Sequence, residues 1–138
     1  MTADEWTRPL PDPDPVSAPY WAAAAEGRLL VQRCPSCGAT QHYPRAVCAT
    51  CAATPEWLET AGRGVVYTFT IVRQYGMAPF ASMVPYVVAM IELPEGPRLL
   101  GNVTDCDPES VRIGMEVEMY ALRAEPDVGV PMWRPVGA

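Results

Sequence analysis

The sequence predicts a mainly β protein built from an N-terminal short helix, a four-cysteine zinc ribbon and then a five-stranded OB-fold barrel. Three observations carry this. The cysteines fall into two knuckle pairs, Cys34-Pro35-Ser36-Cys37-Gly38 and Cys48-Ala49-Thr50-Cys51. From Gly64 onward the chain consists of runs rich in β-branched and aromatic residues, the side chains that suit a pleated, half-buried surface. Between these two patterns lies Gly62-Arg63-Gly64, a tight linker where one gives way to the other.

Residues 1–16 alternate Pro9, Pro11, Pro13 and Pro15 with Asp12 and Asp14. Such a composition favours extended, polyproline-like chain over helix or sheet, so this stretch is expected to be a disordered tail. Ser17 is the expected N-cap of a short helix that runs through Pro19, Tyr20, Trp21 and an alanine run to Glu26, with Gly27 as its stop. Tyr20, Trp21 and Ala24 share one helical face, for which packing on the ribbon or barrel is the simplest reading. Leu29, Leu30 and Val31 form a strand leading into the first knuckle, and the ribbon covers roughly 28–57. Helix and ribbon together make a unit over 17–61, and the barrel occupies 62–138.

Five strands are expected in the barrel: Val65–Val72, Tyr86–Leu93, Arg98–Val103, Glu116–Leu122 and Met132–Val136. Glu95-Gly96 marks a hairpin turn, and 105–114 is a longer connection. Five short antiparallel strands in so short a span suggest a small closed barrel, of the OB type or of an SH3-like type. Gly62-Arg63-Gly64 is not a nucleotide-binding loop, because the third glycine and the following helix are missing.

Two Cys-x-x-Cys turns each aim a pair of sulfurs at one point, and together they offer Cys34, Cys37, Cys48 and Cys51 as a closed tetrahedron of soft ligands. A structural zinc uses such a set, whereas a catalytic zinc keeps a position open for water. Two disulfides are the alternative, but a fifth cysteine, Cys106, and the lack of a recognisable export signal argue against an oxidising compartment. Iron in a rubredoxin-like knuckle is the other alternative. A cytoplasmic protein without membrane spans is the expectation, since no apolar stretch is long enough to cross a bilayer.

The basic residues are 10 arginines with no lysine, against 16 carboxylates, for a formal net charge of -6. That balance repels phosphate backbones and makes nucleic acid an unfavoured partner. Arg28, Arg33, Arg45 and Arg63 nevertheless lie in or beside the ribbon. They either meet a small phosphorylated ligand or pair with neighbouring carboxylates.

No catalytic set stands out. His42 is the sole histidine and sits inside the ribbon, Cys106 is flanked by Asp105 and Asp107, and Glu116 and Glu118 read as outward residues of a strand. The loop from Arg73 to Pro85 is unusually apolar, with Met77, Phe80 and Met83. It either folds onto its own barrel or contacts another protein or an acyl chain.

Several motifs in order carry a family resemblance: Tyr20-Trp21, Glu26-Gly27-Arg28-Leu29-Leu30, Gln32-Arg33-Cys34, Pro44-Arg45, Trp57, Val66-Tyr67-Thr68-Phe69-Thr70, Pro85-Tyr86-Val87-Val88-Ala89 and Gly96-Pro97-Arg98-Leu99-Leu100-Gly101-Asn102-Val103. Together they resemble the zinc-ribbon and OB-fold proteins, long known only as a domain of unknown function, that accompany thiolase-like enzymes of acyl-CoA metabolism. The resemblance covers about residues 17–136. It implies a non-catalytic auxiliary subunit whose partner, a thiolase, acyltransferase or steroid side-chain aldolase, carries the chemistry, with a heterotetramer around the partner dimer. It also implies structural Zn2+, acyl-CoA contacts by Arg33, Arg45 and Arg63, and partner contacts by Tyr20, Trp21, Met77, Phe80 and Met83. The alanine run of the helix and the two loop methionines depart from the family pattern. A single-stranded nucleic-acid binder using Tyr67 and Phe69, and a stand-alone acyl-CoA-binding protein, are the rival readings.

Overall fold

A computed structural model describes residues 6–138. Helix α1 spans Ala18–Ala25, and strands β1 (Leu30–Arg33), β2 (Thr40–Gln41) and β3 (Glu56–Glu59) form an antiparallel sheet in the order β2-β1-β3. Strands β4 (Arg63–Val72), β5 (Tyr86–Glu92), β6 (Arg98–Val103), β7 (Glu116–Glu125) and β8 (Val128–Pro135) close a barrel in the order β4-β5-β6-β8-β7. One pair, β6 with β8, is parallel, and the rest are antiparallel. The expected β architecture, with its ribbon and five-stranded barrel, is therefore present.

Of the expected tail, residues 1–5 lie outside the described residues. Residues 6–16 carry no helix or strand, and they run against the barrel, where Arg8 Nη1 donates to Asn102 Oδ1 at 3.4 Å. Helix α1 starts differently from the expectation. Ser17 makes no side-chain cap bond; instead its amide donates to Asp14 Oδ1 at 2.7 Å, and its own hydroxyl accepts from the Asp14 amide at 3.2 Å. The Ser17 amide bond draws the Asp14 carboxyl below its ordinary pKa. At the other end Gly27, at φ +80, lets its amide reach Ala24 O and the Arg28 amide reach Ala23 O, both at 2.9 Å. That double closure leaves the left-handed position to a residue without a Cβ.

The alanine run has a packing reason. Tyr20, Ala23 and Ala24 are buried, and Gly129 of β8 lies so close that a Cβ there would overlap the backbone of Ala24 and Ala25. Small residues on both sides let the helix backbone lie directly on the barrel. Inside the barrel, β5 alternates: Val87, Ala89 and Ile91 point inward, while Val88 and Met90 point out. Trp133 fills the centre at 0% exposure, and a Cβ on Gly101 would come within 2.6 Å of its indole.

Ribbon and barrel share one core. Tyr20, Leu29 and Val31 pack in the same cluster as Val66, Ile91, Leu99 and Trp133. At the junction Thr60 Oγ1 donates to Leu29 O at 3.0 Å and accepts from the Gly62 amide at 3.2 Å. Strand β7 runs on to Glu125 and β8 begins at Val128, so the last hairpin is longer than expected.

Candidate metal centre and interaction surface

Two copies of one backbone motif build the cysteine cluster. In the first knuckle the Cys34 amide donates to Ala39 O at 2.8 Å and the Gly38 amide to Cys34 O at 2.9 Å. In the second, the Cys48 amide donates to Ala53 O at 2.7 Å and the Ala52 amide to Cys48 O at 2.9 Å. Gly38 takes φ +78, and Ala52, at the matching position, takes φ 64 despite its Cβ. These turns also point amides at sulfur: the Cys37 amide lies 3.5 Å from Cys34 Sγ, and the Thr50 amide 3.4 Å from Cys48 Sγ. The Cys37 amide lowers the Cys34 thiol pKa, and the Cys51 and Thr50 amides bring Cys48 down to about 6. Both shifts favour the thiolate that a metal needs. At Cys37 the lowering by the Ala39 backbone bond is outweighed by desolvation and the neighbouring sulfurs, which push that thiol up to about 12.

The four sulfurs lie within 4.8 Å of one another, with Cys34 Sγ 3.4 Å from Cys51 Sγ and Cys37 Sγ 3.7 Å from Cys48 Sγ. A zinc–sulfur bond of ~2.3 Å gives tetrahedral sulfur–sulfur edges of about 3.8 Å. The donor set and its spacing thus fit a structural zinc with no open position. Cys34 and Cys48 are buried, while Cys37 and Cys51 face outward.

A pair of glutamines fixes the second knuckle relative to the first, and sequence reasoning missed it. Buried Gln32 accepts at Oε1 from the Arg45 amide and from Gln41 Nε2, both at 2.8 Å, and donates from Nε2 to Arg45 O at 2.9 Å. Gln41 in turn donates to Val47 O at 3.2 Å and accepts from the Ala49 amide at 2.9 Å. The only signal in sequence is a glutamine that continues an apolar strand immediately before a knuckle.

His42 lies among Tyr20 and Tyr43 and is pushed by burial to a pKa of about 4. Its buried Nδ1 has no partner among the described residues. Tyr20, expected at a partner contact, is 5% exposed, and burial raises its pKa. Trp21 is half-buried and donates from Nε1 to Tyr43 Oη at 3.2 Å. In the loop, Met77 is exposed, whereas Phe80 and Met83 are half-buried, Phe80 between Tyr75 and Tyr86.

The candidate phosphate-binding arginines are spread over the molecule. Arg33 and Arg45 are exposed on the ribbon, while Arg63 opens β4 and lines a cavity of about 270 Å3 with Glu92 and Glu116. Arg28 is engaged by Glu26 at 2.9 Å and Glu59 at 3.0 Å. Among the described residues no ion pair engages Arg33, Arg45 or Arg63.

An apolar surface that sequence reasoning did not assign lies on the outside of β4, β5 and β6. Leu100 is 70% exposed and pairs in register with Met90, which pairs with Thr68. Ile113, 71% exposed, is held beside β4 by the Gly114 amide bond to Val66 O at 2.8 Å. Val65, Tyr67 and Val136 are exposed as well, and the Arg98 guanidinium lies 3.7 Å from the centroid of the Tyr67 ring. The signal was in Leu99-Leu100: strand alternation sends one of two adjacent leucines outward. Phe69, the other stacking aromatic of the nucleic-acid reading, packs against the core.

Comparison with known proteins agrees with both halves of the chain. Residues 21–56 match the ChsH2 rubredoxin-like zinc ribbon domain and residues 57–122 the ChsH2 C-terminal OB-fold domain. A DUF35 domain-containing scaffold protein of Methanocaldococcus jannaschii is 40% identical over 103 residues, 72% of this chain and 71% of its own. A probable enoyl-CoA hydratase alpha subunit of Thermomonospora curvata is 38% identical over 130 residues; these are 93% of this chain but 40% of that subunit. This chain thus spans less than half of the hydratase subunit's length. The solved structure of the Ltp2-ChsH2(DUF35) aldolase matches with a TM-score of 0.80 at 35% identity, over 91% of this chain and 98% of that one. The chain belongs to the DUF35 family of zinc-ribbon and OB-fold proteins.

Proposed function

We propose that this chain is a non-catalytic, zinc-stabilised subunit that docks on the catalytic subunit of a thiolase-superfamily enzyme and helps hold an acyl-CoA thioester. The observation that carries the reading is the match over nearly the whole length of the DUF35 chain in an aldolase assembled from two named components. The hydratase alpha subunit that matches along most of this chain brings CoA thioesters into the same range of relatives. His42 supports the non-catalytic role: a half-buried imidazole with a pKa of about 4 is a poor general base at neutral pH.

We assign the docking surface to the outside of β4–β6 and the adjoining connection before β7, where Leu100 and Ile113 are exposed. Two apolar side chains left 70% and 71% exposed beside a stacked Tyr67–Arg98 pair have the makings of an interface centre. Trp21 and Met77 are further candidate contacts, and Arg33, Arg45 and Arg63 are the groups for CoA phosphates. A heterotetramer around a partner dimer is the expected assembly.

The test is purification of the tagged chain from its host, with identification of any stoichiometric polypeptide, followed by the same experiment with Leu100→Asp plus Ile113→Asp. A thiolase-superfamily polypeptide should accompany the parent and be lost from the variant, whose zinc content and melting temperature stay unchanged. Equal retention by the variant would sink the docking assignment, and a parent without any such polypeptide would sink the subunit reading.

A further inference from the structure

A second cavity, of about 280 Å3, opens between the β4–β5 loop and the β6–β7 connection. Phe80, Met83 and Val103 give it apolar walls, and Arg8, Asn102 and Thr104 bring polar atoms to it. The loop and the connection are tied at the rim by an ion pair of Arg73 with Glu109 at 2.6 Å. Tyr75, Phe80 and Tyr86 stack beside it with centroids 5.5 and 6.4 Å apart, which holds the Phe80 ring in place. Thr104 Oγ1 lies 2.6 Å from the Tyr120 hydroxyl, so that pair is already satisfied.

The Arg8 guanidinium is the cation at this cavity. It reaches in from the segment that precedes α1, 3.4 Å from Asn102 Oδ1 and 3.8 Å from Met132 Sδ, with the Trp6 ring centroid 5.3 Å away. Burial lowers its pKa, yet a guanidinium remains charged at any physiological pH. Among the described residues its partners are a long amide contact, a thioether and a ring face, which are weak for a cation, and a carboxylate would make stronger, charge-assisted bonds. At ~30 Å3 per water the volume corresponds to about nine waters, the room taken by a short-chain acid rather than a whole cofactor.

We propose that this cavity binds a small monocarboxylate with an apolar chain, its carboxylate on Arg8 and its chain against Phe80, Met83 and Val103. One charged group beside an apolar wall fixes the ligand's orientation and leaves its chain length to be set by the volume. The site needs no second polypeptide, so the outcome of its test is independent of the subunit reading above.

The experiment is calorimetric titration of the zinc-loaded chain with octanoate, hexanoate and octanol. Octanoate should bind with one-to-one stoichiometry, and hexanoate, with two fewer methylenes, about tenfold more weakly. Octanol should bind at least tenfold more weakly than octanoate. Arg8→Gln should remove the difference between octanoate and octanol, and Met83→Trp, which fills the cavity from the loop, should abolish binding of all three. Arg123→Gln, the same charge change at an exposed position of β7, should leave the octanoate titration unchanged. Absence of octanoate binding, equal affinity for octanol, or an undiminished titration with Met83→Trp at parental zinc content and melting temperature would each overturn the proposal.

Discussion

Replacing Gln32 by alanine tests how the ribbon is held in its metal-binding geometry. The side chain makes three hydrogen bonds, at 2.8, 2.8 and 2.9 Å, two of them to the backbone of Arg45 between the knuckles. Each is worth ~1 kcal/mol net, and a buried backbone group left without a partner costs ~1–3 kcal/mol. Arg45 itself is exposed, so water can reach part of the gap. The lower end of the range, about 3 kcal/mol, is therefore expected. Because metal binding and folding of such a ribbon are one reaction, the loss should appear in zinc affinity. At ~1.4 kcal/mol per decade it amounts to about 100-fold weaker zinc binding. Competition against a chromophoric chelator measures this directly. Zinc affinity within threefold of the parent, with an unchanged melting temperature, would refute the reasoning.

Three further outcomes follow from the same geometry. Cys48→Ser should leave the chain with less than stoichiometric zinc by elemental analysis and with a cooperative transition lost from the ribbon, because a three-thiolate site cannot close. Ala52→Gly should raise stability by about 1 kcal/mol in a denaturant titration, since φ 64 costs a residue with a Cβ what glycine does not incur. His42 is neutral in the fold at a pKa of about 4, against 6.5 for the free group. The unfolded chain therefore binds the proton first, and stability that is complete above pH 6.5 is lost as pH falls toward 4. The shift is worth up to about 3 kcal/mol, and His42→Phe should flatten that part of the stability profile relative to the parent.

The ribbon and barrel were legible because their signals are local. Two knuckles with Cys-x-x-Cys spacing name their own ligands, and β6 was placed correctly at Arg98–Val103, just after the Glu95-Gly96 turn. The start of β8 was not legible: Val128 to Pro131 includes Gly129 and Pro131, both poor strand formers. Gly129 is there for the helix that lies on it, a tertiary reason with no local sign. Ser17 looked like a cap by residue type, yet its bonds go to Asp14, because the chain before α1 already turns through the Asp14–Ser17 pair. The Gln32–Gln41 brace depends on two residues brought together by strand pairing, and Leu100 shows as an exposed residue only once the register of β6 is known. Helical spacing read Tyr20 as packing on the ribbon or barrel, and the shared core contains it; the partner contact that the resemblance implied for Tyr20 is the reading its burial disfavours.

The central claim, that this chain supports catalysis carried by another polypeptide, is tested most directly by dividing activity between purified components. The zinc-loaded chain, its stoichiometric partner and the reconstituted mixture would each be assayed against the same acyl-CoA thioester. The account predicts no turnover by the chain alone, low or unstable turnover by the partner, and full activity in the mixture, lost with Leu100→Asp plus Ile113→Asp. Turnover by the isolated chain, or a partner equally active and stable without it, would contradict the account.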